Sequence, residues 1–481
     1  MNAPHAIALP NEILLAVIEA AYEPALVWEA DEPADPDPAN QYLVLKAICN
    51  LCLVSRWFRS AAQPIMYREF SLGYGQNWRP APWGSWVGRW AALVTTLAAR
   101  PDLAGQLRRA YIHRSLIDAV NEEEFATGVE HAKRALSITL PDDQLPWDKS
   151  ELLHFLTLSL MPNLEHLAMQ PPNGNADTLG MADWVTLDLG PKTGFRKLRS
   201  AEFISFGSSW SFHPVRSSSA GKWELPKLTL RREFSAPHVH TVVTGVKDLR
   251  IVEAHVSAET ISELLGPLPG SQPFTADLNR FYFASTPEED PFTFNRAIHF
   301  SSHQLISALS VHRGTLRHLH LDMSQVSNFF EDSEIITLED LPVLETLAIS
   351  PGCIDRSGNK PNEWLSRLLP PSLRRLSILR DWFLVPEPTL ASLCDAIRSG
   401  RFPQLKEIRC SASTYKHYKS GIQRIPSKTL KHLERAFGEV GVKFGTISER
   451  NARWLQLRLD RIVEDLERGP PPSFEDEDDD I

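Results

Sequence analysis

The sequence predicts an α/β protein in which a helical N-terminal module precedes an irregular solenoid built on a parallel sheet. Two observations carry this. A short apolar signature, Leu-x-x-apolar-x-apolar, recurs nine times between residues 107 and 410, often just after Pro or Gly. Helix-like segments stand between many of these signatures, so strand, helix and parallel strand repeat in turn. A third observation sets the N-terminus apart: residues 10–22 and 43–61 carry apolar positions at helical spacing and no such signature.

Residues 10–22 place Ile13, Leu14, Val17, Ile18 and Ala21 on one helical face, and Pro10 suits a first turn. Residues 43–61 repeat the pattern with Val44, Ala47, Ile48, Leu51, Val54 and Phe58, and Pro64 is expected to start a short third segment through Ile65, Met66 and Tyr67. Between them, residues 29–38 hold three prolines and a cluster of acids, a composition that buries no core, and a flexible insertion over 29–40 is expected. Residues 71–106 form a connector in which Trp78, Trp83, Trp86 and Trp90 crowd together. They either seal the joint to the first repeat or stack on a base or another ligand; only Arg79 and Arg89 interleave, which favours the seal.

The repeats occupy residues 107–466. Their signatures are Leu107–Ile112, Leu164–Met169, Leu198–Phe203, Leu249–Ala254, Leu278–Phe283, Leu316–Leu321, Leu344–Ile349, Leu373–Ile378 and Leu405–Cys410. The second and third apolar positions alternate, as in a strand with one buried face. Gln304–His312, Glu363–Leu369, Leu390–Ser399 and Ser427–Glu439 read as helices. A unit of this size cannot cover its own apolar edge, so neighbours must stack. Residues 171–194, 206–247 and 284–297 are expected to be excursions, and 467–481 a disordered tail.

Composition narrows the function. The 481 residues are 43% hydrophobic and 23% charged, with a formal charge of −10. Six of the negative charges lie in Glu475–Asp480, so the remainder is near −4, which points to neither nucleic acid nor a membrane surface as a partner. That acidic run is a solubilising end, a mimic of a charged partner or a steering element. Five scattered cysteines, no Asn-x-Ser/Thr site and no leader-like start fit an intracellular setting, cytoplasmic or nuclear.

Chemistry-bearing patterns are sparse. Cys49 and Cys52 lie one helical turn apart without a second pair or His to complete a metal site, and read as small apolar fillers. His238 and His240 share a strand face with no third ligand nearby. No glycine-rich phosphate loop and no Gly-x-Ser-x-Gly elbow occurs. The expectation is a protein without catalytic residues, metal or cofactor.

Leu9-Pro10-Asn11-Glu12-Ile13-Leu14, followed by Leu51-Cys52-Leu53-Val54-Ser55-Arg56-Trp57-Phe58, resembles the two halves of an F-box. The repeats resemble the irregular leucine-rich repeats that often follow it; the usual Asn after the strand is missing in nearly every unit. The resemblance implies that residues 1–70 bind the Skp-type adaptor of a cullin-RING ubiquitin ligase through Leu9, Pro10, Ile13, Leu14, Ile18, Leu51, Val54, Trp57 and Phe58. It implies that the repeats hold a target protein. The alternatives are a helical hairpin packed on its own domain, an interaction scaffold outside any ligase, and an enzyme with a site in the loops. Strand positions facing away from the core are the expected concave, partner-binding strip: His318, His320, Asp322, Thr346, Ala348, Ser350, Arg375, Ser377, Glu407 and Arg409.

Overall fold

A computed structural model describes residues 38–70, 87–138, 149–170, 197–204, 223–231, 243–252, 258–266, 277–284, 302–322, 337–350, 362–379, 387–411, 413–415, 422–424 and 426–447, with isolated positions between. Contacts divide the chain into two units that meet in sequence near residues 208–226.

In the first unit, helices α1 (Pro38–Val54) and α2 (Arg56–Met66) pack together. The single helix expected over 43–61 is broken at Ser55. That residue is extended (φ −159°, ψ 163°), and its hydroxyl accepts from the Phe58 N–H at 3.1 Å, capping α2. Arg59 Nε donates to the Cys52 carbonyl at 3.1 Å and satisfies the end of α1. Pro64 starts no third segment. It lies inside the last turns of α2, where its ring removes the N–H that would otherwise reach back to the Ser60 carbonyl. Helix α1 also begins at Pro38, within the stretch expected to be an insertion.

Strands β1 (Glu69–Phe70), β2 (Arg109–Ile112), β3 (His166–Met169) and β4 (Ser200–Ile204) pair in parallel, in that order. The sheet therefore begins at Glu69, directly after the helical pair. Helices α3 (Arg89–Ala99), α4 (Glu122–Leu136) and α5 (Lys149–Ser159) accompany it. Helix α4 is well specified at its start. The Asn121 side chain accepts from the Glu124 N–H at 2.9 Å, and Glu122, Glu123 and Glu124 face the positive end of the helix dipole. Trp90 of α3 is fully buried, and its indole N–H donates to the Thr157 hydroxyl at 2.8 Å.

The second unit carries eight parallel strands: β5 (Lys227–Arg231), β6 (Asp248–Val252), β7 (Arg280–Ala284), β8 (His318–Asp322), β9 (Thr346–Ile349), β10 (Arg375–Ile378), β11 (Glu407–Ser411) and β14 (Lys443–Ile447). A two-strand antiparallel hairpin, β12 (Ser413–Tyr415) with β13 (Ile422–Arg424), separates the last two in sequence. Helices α6 (Ala258–Leu265), α7 (Ser302–Leu309), α8 (Trp364–Leu368), α9 (Glu387–Arg398) and α10 (Ser427–Glu439) alternate with them. Each unit is thus mixed α/β on a parallel sheet, and the order is solenoid-like.

The register is uniform. Leu249, Phe281, Leu319, Leu347, Leu376, Ile408 and Phe444 lie side by side and are buried, and Ile251, Phe283, Leu321, Ile349, Ile378 and Cys410 form a second buried row. Before several strands the chain turns in one way. The first Leu donates its N–H three residues back, as Leu164 does to Met161, Leu344 to Leu341 and Leu405 to Phe402. Pro162, Pro342 and Pro403 occupy the second position of these turns, where their fixed φ fits.

The next two residues then share one carbonyl of the preceding unit. Arg317 and His318 donate to Asn279, Glu345 and Thr346 to Arg317, and Arg374 and Arg375 to Glu345. The first unit does the same, with Glu165 and His166 on Arg108. A polar residue just ahead of the Leu adds a side-chain bond across the repeats: Thr315 to the Leu278 carbonyl at 2.9 Å, Ser372 to the Leu344 carbonyl at 2.8 Å.

Three repeat assignments change, the first being β14, which adds a unit after the last expected signature. Residues 206–247 are not all excursion, because Leu225-Pro226-Lys227-Leu228-Thr229-Leu230 carries the full signature and forms β5. The unit expected at Leu249–Ala254 starts three residues earlier, at Val246, which is buried in the place Leu takes elsewhere.

Candidate functional site

Two surfaces stand out, one in each unit. The first is the α1–α2 pair. Ile48, Ala61, Ala62 and Ile65 form its small core, with Leu51, Cys52, Trp57, Phe58 and Met66 packed against it. Trp57 and Phe58 meet edge to face at 4.9 Å and are each partly buried. Leu53 and Val54 are different: 76% and 67% of their surfaces are exposed. Large apolar side chains left this bare, adjacent in sequence and a few residues ahead of two aromatic residues, make a surface that a partner would gain by covering.

Of the residues expected to dock a partner, Leu51, Trp57 and Phe58 serve the inner side of this pair and Val54 the outer side. Leu9, Pro10, Ile13, Leu14 and Ile18 lie outside the described residues. Leu53 was not anticipated. It falls off the helical stripe that runs through Ile48 and Leu51, which accounts for its exposure; Val54 continues that stripe but is the last residue of α1 and is exposed as well. Ala47, placed on the apolar stripe, is exposed. Cys52 Sγ lies 3.6 Å from Met66 Sδ; burial, and then the neighbouring Cys49, raise its pKa. An apolar filler accounts for that.

The second surface is the polar face of the sheet in the second unit. Its first row reads Asp248, Arg280, His318, Thr346, Arg375, Glu407 and Lys443; its second reads Arg250, Tyr282, His320, Ala348, Ser377, Arg409 and Gly445. Carboxylates here are shared among cations. Asp248 meets Arg250 at 3.1 Å and Arg280 at 3.8 Å. Just ahead of the first row, Glu345 bridges Arg317 and Arg374, the latter at 3.5 Å. Glu407 holds Arg409 at 3.0 Å, Arg375 at 3.6 Å and Lys443 at 4.0 Å.

The strip is not uniformly available. Arg375 and Arg409 are exposed; His318, Asp322, Thr346, Ala348, Ser377 and Glu407 are partly so. Ser350 is fully buried and corrects the expectation that it lines the partner face. It follows the last residue of β9, where its N–H donates to the Leu321 carbonyl and carries the ladder one step past the strand, and there the side chain is covered. His320 stacks on Tyr282 at 3.9 Å, and its Nε2 is sealed from solvent without a hydrogen-bond partner. Burial, helped by the charge of Arg250, lowers its pKa to about 3, so the ring is neutral at physiological pH. Burial and then Arg280 also lower the pKa of His318.

The remaining expected features are distributed as follows. Trp90 is interior and offers no face to a ligand, while Trp78, Trp83, Trp86, His238 and His240 lie outside the described residues, as does the acidic tail. Among the described residues no group of three His, Cys, Asp or Glu is placed to hold a metal ion. No described helix is long and apolar enough to cross a membrane. Compared with known proteins, the sequence matches no family model and no curated protein.

Proposed function

We propose that the chain is a receptor of the F-box type, whose N-terminal helices bind a Skp-type adaptor and whose strand face presents a target protein to a cullin-RING ubiquitin ligase. The observation that carries the reading is the bare apolar pair Leu53 and Val54, a few residues ahead of Trp57 and Phe58 in the segment that resembles the second half of an F-box. A helical pair packed only for its own stability would turn these side chains inward. Covering both recovers roughly 3 kcal/mol or more of apolar transfer energy, about a hundredfold in affinity. The receptor performs no covalent step. It raises the local concentration of its target near a ubiquitin-charged enzyme held elsewhere in the assembly.

The test is co-purification of the adaptor with wild type and with Val54→Asp. The variant places a charge on a residue already facing solvent, so its thermal midpoint stays at the wild-type value while adaptor capture drops. Equal capture by both proteins removes the docking role of this surface. A wild type that folds and captures no adaptor is an interaction scaffold instead.

A further inference from the structure

We propose that the acidic run Glu475–Asp480 docks, within the same molecule, on a cationic patch formed by β10, β11 and β14. The inference goes beyond adaptor docking and does not need it.

The patch is local and lopsided. Among the described residues, the polar face of these three strands presents Arg375, Arg409 and Lys443 around the carboxylate of Glu407. Arg375 and Lys443 share that one carboxylate, which does not balance both. The Arg375 and Lys443 side chains keep 69% and 78% of their surfaces exposed, whereas Glu407 keeps 17%. The anion is thus sunk between its partners, and what a ligand meets is positive. Exposed Lys406, one position ahead of Glu407, extends the patch, and Arg374, ahead of Arg375, borders it while paired with Glu345. This lies in a chain whose formal charge is −10. The guanidinium of Arg375 and the ammonium groups of Lys406 and Lys443, on strands about 4.8 Å apart, match an acidic peptide by charge and by spacing.

The chain carries such a peptide near the patch in sequence. Strand β14 holds Lys443 and ends at Ile447, and 27 residues separate it from Glu475. Even if that linker were wholly helical, at about 1.5 Å per residue it would reach roughly 40 Å. Crossing from β14 to β10 takes two strand spacings, about 10 Å. Reach therefore does not limit docking, and a tethered ligand is presented at high effective concentration. The consequence is competition: a target that uses this face must displace the tail, and an acidic target does so best.

The test uses full-length protein with the tail amidated by Glu475→Gln, Asp476→Asn, Glu477→Gln, Asp478→Asn, Asp479→Asn and Asp480→Asn. The probe is a fluorescent peptide of residues 469–481, read by anisotropy at low and high salt. The amidated chain is expected to bind it, and wild type to bind at least about tenfold more weakly because its own tail competes. Added salt should weaken the binding. Adding Arg375→Gln and Lys443→Gln to the amidated chain should cost a similar factor, with the thermal midpoint confirming the fold. Equal binding to wild type and amidated chain, no binding to either, or full binding to the Arg375 and Lys443 variant overturns the proposal. So does a single-stranded oligonucleotide that binds both chains equally well, which would assign the patch to nucleic acid. Adaptor capture, measured on the same proteins, reports separately on the receptor reading.

Discussion

Gly128 of α4 lies against the indole of Trp90: a Cβ built at 128 would sit 2.2 Å from Trp90 Cζ3 and 2.7 Å from Cη2. The glycine is there because the ring is. In a helix interior Gly costs about 1 kcal/mol relative to Ala, so Gly128→Ala would stabilise an exposed helix. Here the clash wins, since overpacking costs about 1–3 kcal/mol and Trp90 is held in place by its own hydrogen bond. Gly128→Ala is expected to lower the thermal midpoint of the first unit, and a raised midpoint would show that the ring moves aside.

That hydrogen bond makes its own prediction. Thr157 accepts from Trp90 Nε1 and passes its proton to the Leu153 carbonyl at 2.6 Å, so both groups are satisfied out of reach of water. Thr157→Val keeps the volume and orphans the indole N–H, at a cost of about 1–3 kcal/mol. Thr157→Ser should lose much less, and the comparison in a denaturant titration isolates the hydrogen bond from the packing.

Acid should unfold the protein partly through its buried histidines. Burial, opposed only by Asp118, lowers the pKa of His113 to about 4, and that of His320 is about 3, against 6.5 unperturbed. The unfolded chain then binds more protons than the folded one, so stability rises with pH across this window. The contribution is fully present above pH 6.5 and is lost as pH falls through 6.5 toward 3–4. His320→Gln should flatten the stability curve over that interval, and an unchanged slope would exclude His320 as a source.

The turn-side bonds of Thr315 and Ser372 should each hold one joint of the coil. Ser372→Ala removes the link to the Leu344 carbonyl and is expected to cost about 1 kcal/mol. Hydrogen exchange should rise at the amides of β9 and β10 and leave β6 and β7 unchanged, because stacked units communicate with their neighbours alone.

The sequence was most legible where the signature was complete. Leu316-x-x-Leu319-x-Leu321 and its three successors lie on strands β8 to β11, and α10 runs over Ser427–Glu439 as its periodicity predicts. It failed where one position was replaced. Val246 does the work of Leu, and β14 has Thr446 where an apolar residue is usual, so neither unit was recognised at its start. Strand β5 kept its signature and was lost to the Ser- and Gly-rich residues around it. The candidate sites were less legible for a physical reason. Val54 continues the apolar stripe, and whether it faces water depends on where α1 stops, which Ser55 decides. Whether Ser350 is displayed depends on how the chain leaves β9. Both are local geometry that apolar spacing does not encode.

The carbonyl that receives two N–H groups at the start of nine of the strands has a final consequence. It pins one corner of each of those repeats, as a book's spine pins its pages, and does not itself tie the opposite rim. The starts at Leu107 and Leu164 lie 57 residues apart, those at Leu344 and Leu373 only 29, yet β2 meets β3 in the same parallel fashion that β9 meets β10. Length can accumulate at the outer margin without disturbing the rows of side chains. A lineage is thereby able to rewrite what the rim offers to partners while the frame beneath stays in step.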